Sequence, residues 1–149
     1  MSGQHTTRRE IIMHFSAPPG CEDMQVLAKN ALENLPEELL EFCEYIDIQV
    51  EDFPDEVIEQ EQDLDDPYDL LALYCSGRQI APGVESRQAG DNDYLMVFRR
   101  PVLDLWCETM QDLNELIRQV MIEEIGQYFN FTDEEIEEMS ARHHQGLLP

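Results

Sequence analysis

LNELIRQVMIEEIGQYFNFTD, residues 113–133, is the stretch on which the reading of this 149-residue chain turns. Its apolar residues Leu113, Leu116, Ile117, Val120, Met121 and Tyr128 recur at helical spacing. At about 100° per residue they form one face centred near Leu113 and Ile117. The same turn places Glu124 in the middle of that face, Gln127 slightly off its centre and Glu123 near its edge. A carboxylate buried without a partner costs several kcal/mol, roughly, or takes up a proton. An acid at position 124 therefore calls for a chemical or a structural reason.

Downstream, Thr132 is expected to cap a last helix opened by Asp133, Glu134 and Glu135, with Glu135 completing a capping box. The central helix is expected over residues 110–129, roughly, given how loosely helix ends are defined. Upstream, residues 94–99 (YLMVFR) read as a strand, ended by Arg100-Pro101, and residues 102–107 as a short helix with Pro101 near its first turn. Residues 45–53 (YIDIQVEDF) alternate, which predicts a strand with Ile46, Ile48 and Val50 inward and Asp47, Gln49 and Glu51 outward.

Residues 22–35 read as a helix with Val26, Leu27, Ala31 and Leu35 as its apolar set. Pro36 ends that helix or starts the next, which carries Leu39, Leu40 and Phe42. The acidic run 54–66 reads as a solvated loop or a frayed helix. Residues 76–93, with three glycines and a proline, read as a loop. Residues 1–15 read as a flexible tail with a short apolar segment, and residues 16–149 as one domain.

Composition narrows the function. At 42% hydrophobic the chain is globular. No run approaches the roughly 18 apolar residues that cross a bilayer, and the N-terminus lacks a secretory pattern, so a cytoplasmic monomer is expected, with no membrane partner. The net charge is −24, and Lys29 is the only lysine. Such a surface repels phosphate backbones, which argues against direct nucleic-acid binding. It suits solubility, a basic partner or imitation of a nucleic acid. Cys21, Cys43, Cys75 and Cys107 are widely spaced, with neither a C-x-x-C pair nor a close histidine. Small buried residues are expected rather than a thiolate metal site, a disulfide framework or a nucleophile.

Residues 123–133, EEIGQYFNFTD, resemble the active helix of the small bacterial zincin-like metallopeptidases, whose pattern is H-E-x-G-H-x-F-G-x-x-D. In that pattern two histidines one helical turn apart bind zinc, and the glutamate is the general base acting on metal-bound water. Glu124 stands at the base position, Gly126 and Phe129 match, and Asp133 stands at the third-ligand position. Glu123 and Gln127 replace the two histidines, and Asn130 replaces the second glycine. PYDLLALY (residues 67–74) and RRPVLDLWCET (residues 99–109) also look like the family, the first implying a strand and turn before a variable loop. The resemblance implies an α+β minimal zincin fold, a small sheet packed on the motif-bearing helix.

Three readings of Glu123, Glu124, Gln127 and Asp133 compete. In one, zinc is lost, because catalytic zinc wants nitrogen or sulfur donors, and the fold binds a peptide or basic protein instead of cutting it. In another, oxygen ligands hold Mn²⁺, Mg²⁺ or Ca²⁺ and Glu124 remains a general base. In the third, the cluster is structural, with Glu124 paired to Arg99, Arg100 or Arg118 or bonded to backbone at a strand edge. An acidic interaction protein or nucleic-acid mimic is the alternative outside this family.

Overall fold

The computed structural model describes residues 18–43, 46–76 and 93–146, the last five as backbone. The expected N-terminal tail and its apolar segment, and most of the glycine-containing loop, lie outside the described residues. The elements are Cys21–Glu33 (α1), Glu37–Cys43 (α2), Asp47–Glu51 (β1), Glu56–Glu61 (α3), a 3-10 turn Pro67–Asp69, Ala72–Cys75 (β2), Tyr94–Phe98 (β3), Arg99–Thr109 (α4), Leu113–Tyr128 (α5) and Asp133–Gly146 (α6). This is a small α+β fold, as the sequence suggests.

The strands form one sheet in the order β1-β3-β2, with β1 parallel and β2 antiparallel to β3. Register lines up Ile48, Leu95 and Tyr74 in one row and Val50, Val97 and Ala72 in the next. All six point to the same face, where all but the half-buried Val50 are buried against helices. The alternation expected in residues 45–53 is thus present, over a shorter span: Asp47, Gln49 and Glu51 face outward.

Among the described residues, each outer edge of the sheet is engaged by a helix side chain. The Phe98 N–H donates to the Leu71 carbonyl at 2.9 Å, which makes 71/98 and 73/96 the bonded pairs and turns the backbone of Ala72 and Tyr74 away from β3. Glu124 of α5 accepts the Tyr74 N–H at 3.0 Å. On the opposite edge Gln25 of α1 donates to the Ile48 carbonyl at 3.0 Å. An uncovered edge strand invites pairing with another chain, and these contacts interrupt both edges.

Helix α5 is the centre of the packing, touching α1, β2, α6, α2 and α4. Asp112 caps it, accepting the Glu115 N–H at 3.2 Å. Along its first turns Leu113, Leu116, Ile117, Val120 and Met121 are buried, as their spacing predicts. Beyond Met121 the buried side changes to Ile122, Ile125 and Gly126. There Gly126 meets Ile136 of α6: a Cβ at 126 would lie 2.7 Å from Ile136 Cγ1 and 3.0 Å from Cδ1. The face that is apolar at the start of α5 therefore emerges at its end as Glu123, Glu124, Gln127 and Tyr128. Gln127 and Glu123 are exposed, against the expectation of a place on or near the buried face, because they open onto a groove between α5 and α6 and not into the core.

Other expectations need correction. Val26 is 60% exposed, and the buried stripe of α1 is Met24, Leu27, Ala28, Ala31 and Leu32, the side that meets α5 and β1. The acidic run contains a true helix, α3, because Asp55 accepts the Ile58 N–H at 2.8 Å and Ile58 is buried. Helix α4 starts earlier than expected, at Arg99, with Pro101 tolerated in the first turn where no intrahelical N–H bond is needed. Cys107 is exposed rather than buried. No helix among the described residues is long and apolar enough to cross a membrane.

Candidate functional site

Three of the four residues singled out by the motif share one groove. Glu123 and Gln127, one turn apart on α5, face Asp133 of α6 across a cavity of about 290 Å³, which Gln119, Ile136, Glu137 and Ser140 complete. Gln119 lies four residues before Glu123 and Glu137 four after Asp133, so each extends its neighbour's helix face by one turn. That spacing could have identified both from sequence once the two helices were known to face each other.

The connection between the helices is built by local chemistry. Asn130 adopts φ 66°, the left-handed conformation that favours glycine and, among other residues, asparagine. It occupies the place where the family pattern has glycine. Phe131 N–H then donates to the Gly126 carbonyl at 2.9 Å. The expected capping box is present: Thr132 N–H donates to Glu135 Oε1 at 2.8 Å and Glu135 N–H to Thr132 Oγ1 at 3.1 Å. Asp133 is thereby held at the first turn of α6, beside the end of α5.

Glu124, beside these two on α5, is turned toward β2 and does not line the groove. It is half-buried and bonded to the Tyr74 amide at the strand edge. The arginine pairings do not occur. Arg99 is bonded to Asp52 at 3.1 Å and to the Pro19 carbonyl at 2.6 Å. Arg100 stands 5.6 Å over the Phe53 ring, and Arg118 Nε donates to the Asn34 carbonyl at 3.0 Å.

Tyr74, which the motif did not reveal, ties the region together. Its ring stacks on Tyr128 at 4.0 Å and meets the edge of Phe129 at 5.4 Å. Its hydroxyl donates to the buried Asp93 carboxylate at 2.8 Å. Phe129 in turn stacks on Phe42 at 4.9 Å. Tyr128 is 38% exposed, so the aromatic cluster reaches the surface beside the β2 edge. Burial pushes the Cys43 thiol up to about 12, and burial with the nearby Asp52 charge raises Cys21.

Burial raises the Glu124 carboxyl above its ordinary value; the Tyr74 N–H opposes this, and the Glu123 charge adds to it. A carboxyl whose folded pKa is raised contributes stability below its unfolded pKa, about 4.3, and loses it as pH rises through the folded value. Glu124→Gln cannot ionise and keeps a carbonyl for Tyr74. It should match the wild type in urea unfolding near pH 4, roughly, and exceed it progressively above that window. A constant difference at every pH would contradict a buried charge at this position.

The sequence model of one protein family, described as zincin-like metallopeptidase, matches residues 43–143, about two-thirds of the chain. No curated protein matches it. The match takes in the whole sheet, α5, its glycine contact with α6 and the groove between them, and the chain belongs to the zincin-like metallopeptidase family.

Proposed function

We propose that this family member binds an extended, basic peptide segment at the motif end of α5 and does not hydrolyse it with zinc. One observation carries the reading. Positions of the motif that shape the backbone keep their function, with Gly126 closing on Ile136 and Asn130 left-handed. Those that would bind the metal do not.

The residues present do not fit a zinc ion. Catalytic zinc sites are built mainly on nitrogen or sulfur donors, with a carboxylate as a third ligand at most and at least two histidines in this class. Glu123 and Gln127 offer a carboxylate and an amide oxygen. Among the described residues no three His, Cys, Asp or Glu side chains converge closely enough to hold a metal. The same lack of convergence gives no support to Mn²⁺, Mg²⁺ or Ca²⁺, which need several oxygen ligands at once.

A peptide finds complementary groups. Glu123, Asp133 and Glu137 give the groove between α5 and α6 a negative lining that favours basic side chains, and Tyr128 offers an exposed ring at the same end of α5. The test is incubation of the tag-free protein with added zinc and a mixture of ten-residue peptides, followed by mass spectrometry of the retained and released fractions. Intact retained peptides enriched in Lys and Arg are expected. Zinc-dependent fragments, or no retention at all, would overturn the proposal.

A further inference from the structure

We infer that Tyr128 and Glu124 form a subsite for an arginine side chain, so that the segment bound here is selected for arginine over lysine. The inference rests on the peptide-binding reading and names the side chain that this site prefers. The two residues are four apart on α5, neighbours on one helix face. Tyr128 supplies a ring and Glu124 a carboxylate, two groups that a planar guanidinium can use at once.

The ring arrangement leaves one face of Tyr128 open. Tyr74 stacks on the other face with centroids 4.0 Å apart. Phe129 stands steeply inclined to both rings, 5.4 Å from Tyr74 and 5.0 Å from Tyr128. A ring at similar distances from two stacked rings lies alongside the pair and does not cap it. The outer face of Tyr128 is thus uncovered among the described residues, in keeping with its 38% exposure. Tyr74 beneath it is buried and its hydroxyl donates to Asp93, which fixes the platform.

The carboxylate is also available. Glu124 Oε2 accepts the Tyr74 N–H at 3.0 Å, which orients the group. No other hydrogen bond and no ion pair to Glu124 occurs among the described residues. The one buried side-chain nitrogen or oxygen without a partner among them is Arg118 Nη1, so Glu124 Oε1 reaches solvent. A half-buried carboxylate with one oxygen unused gains from a charged donor. A guanidinium stacked within about 6 Å of the Tyr128 centroid lies within reach of an oxygen one helical turn back. Lysine offers a compact, strongly hydrated ammonium that matches this pair of groups less well.

Charge alone does not separate the two side chains, since both carry one positive charge at neutral pH. The test compares two fluorescein-labelled, acetylated decapeptides, one alternating arginine with serine and one alternating lysine with serine, by fluorescence anisotropy at fixed salt. Wild type should bind the arginine peptide roughly fivefold more tightly than the lysine peptide. Tyr128→Leu keeps an apolar cover on Tyr74 and should bind the two about equally, by losing affinity for arginine. Tyr128→Phe keeps the ring and should keep the preference. Glu124→Gln removes the charge and should weaken binding of the arginine peptide roughly fivefold or more. Protons over a ring face are shielded, so the arginine δ-methylene signal should move upfield with wild type and Tyr128→Phe but not with Tyr128→Leu.

Equal binding of the two peptides by the wild type would overturn the subsite while leaving peptide binding intact. So would a preference for arginine that survives Tyr128→Leu. Binding of neither peptide by the wild type would overturn the peptide-binding reading and the subsite with it.

Discussion

Replacing Arg118 with alanine should lower the unfolding free energy by roughly 3 kcal/mol, the sum expected for an orphaned carbonyl and an unfilled space. Arg118 lies on the central helix α5 and is only 3% exposed. Its Nε donates to the Asn34 carbonyl, just past the last turn of α1. Unsatisfied carbonyls gather at a helix C-terminus and carry partial negative charge, so a cation there is favourable. Burial lowers the Arg118 pKa to about 10, with the Glu115 charge opposing the fall, so the group stays charged at neutral pH. Its Nη1 meets no partner among the described residues, which leaves part of the desolvation cost uncompensated. Alanine removes the bond and the volume together. Methionine removes the bond and the uncompensated charge but fills most of the space, and should cost only about 1 kcal/mol. Urea titration of the three proteins checks both. Equal losses for alanine and methionine would show that the Asn34 bond, and not packing, carries the contribution of this residue.

Gly126→Ala should cost about 1–3 kcal/mol, the usual penalty for forcing a methyl group into a packed contact. Its Cβ would meet Ile136 at 2.7 Å on Cγ1, close to the backbone of α6, and a rotation of the side-chain tip does not relieve that contact. Helix α6 must move away from α5. The two helices are also the walls of the groove, with Glu123 and Gln127 on one and Asp133 and Glu137 on the other. Loss of stability should therefore accompany a wider groove. Ile136→Ala is destabilising alone, since Ile136 is buried. In that background Gly126→Ala should become nearly neutral, giving a coupling energy of about 1–3 kcal/mol in a double-mutant cycle. Additive losses from the two changes would mean that the glycine is kept for some reason other than this contact.

What could be read from the sequence was local. The spacing from Leu113 to Met121 fixes a helix and its buried side for three turns, the alternation of Ile46, Ile48 and Val50 fixes a strand, and Thr132 and Glu135 meet within one turn. The motif also located the groove, because Glu123, Gln127 and Asp133 come together there. What could not be read depends on residues far apart in the chain. The buried side changes after Met121, and at Gly126 it meets Ile136 of the next helix. The position of Glu124 is set by Tyr74, fifty residues upstream, and nothing in the spacing of either segment shows which strand forms the sheet edge. The exposure of Val26 has the same origin: its spacing is compatible with a buried face, but α5 and β1 meet the side that carries Met24 and Ala28. In residues 54–66 charge argued for solvent, while one cap at Asp55 and one buried residue, Ile58, were enough to make a helix.

The backbone-shaping positions of the motif serve the fold with or without a metal, whereas Glu123 and Gln127 have no evident structural duty, since both are exposed. Restoring imidazoles there, Glu123→His together with Gln127→His, should create a zinc site on the existing helix, with nitrogen donors one turn apart. The zinc content of the unmodified chain is the most direct measurement. Purified without a histidine tag and analysed by elemental mass spectrometry, it should carry roughly one-tenth of a zinc per chain or less, because the donors offered are oxygen alone. One zinc per chain, lost on Glu123→Ala, would contradict a binding protein without the metal chemistry of its family.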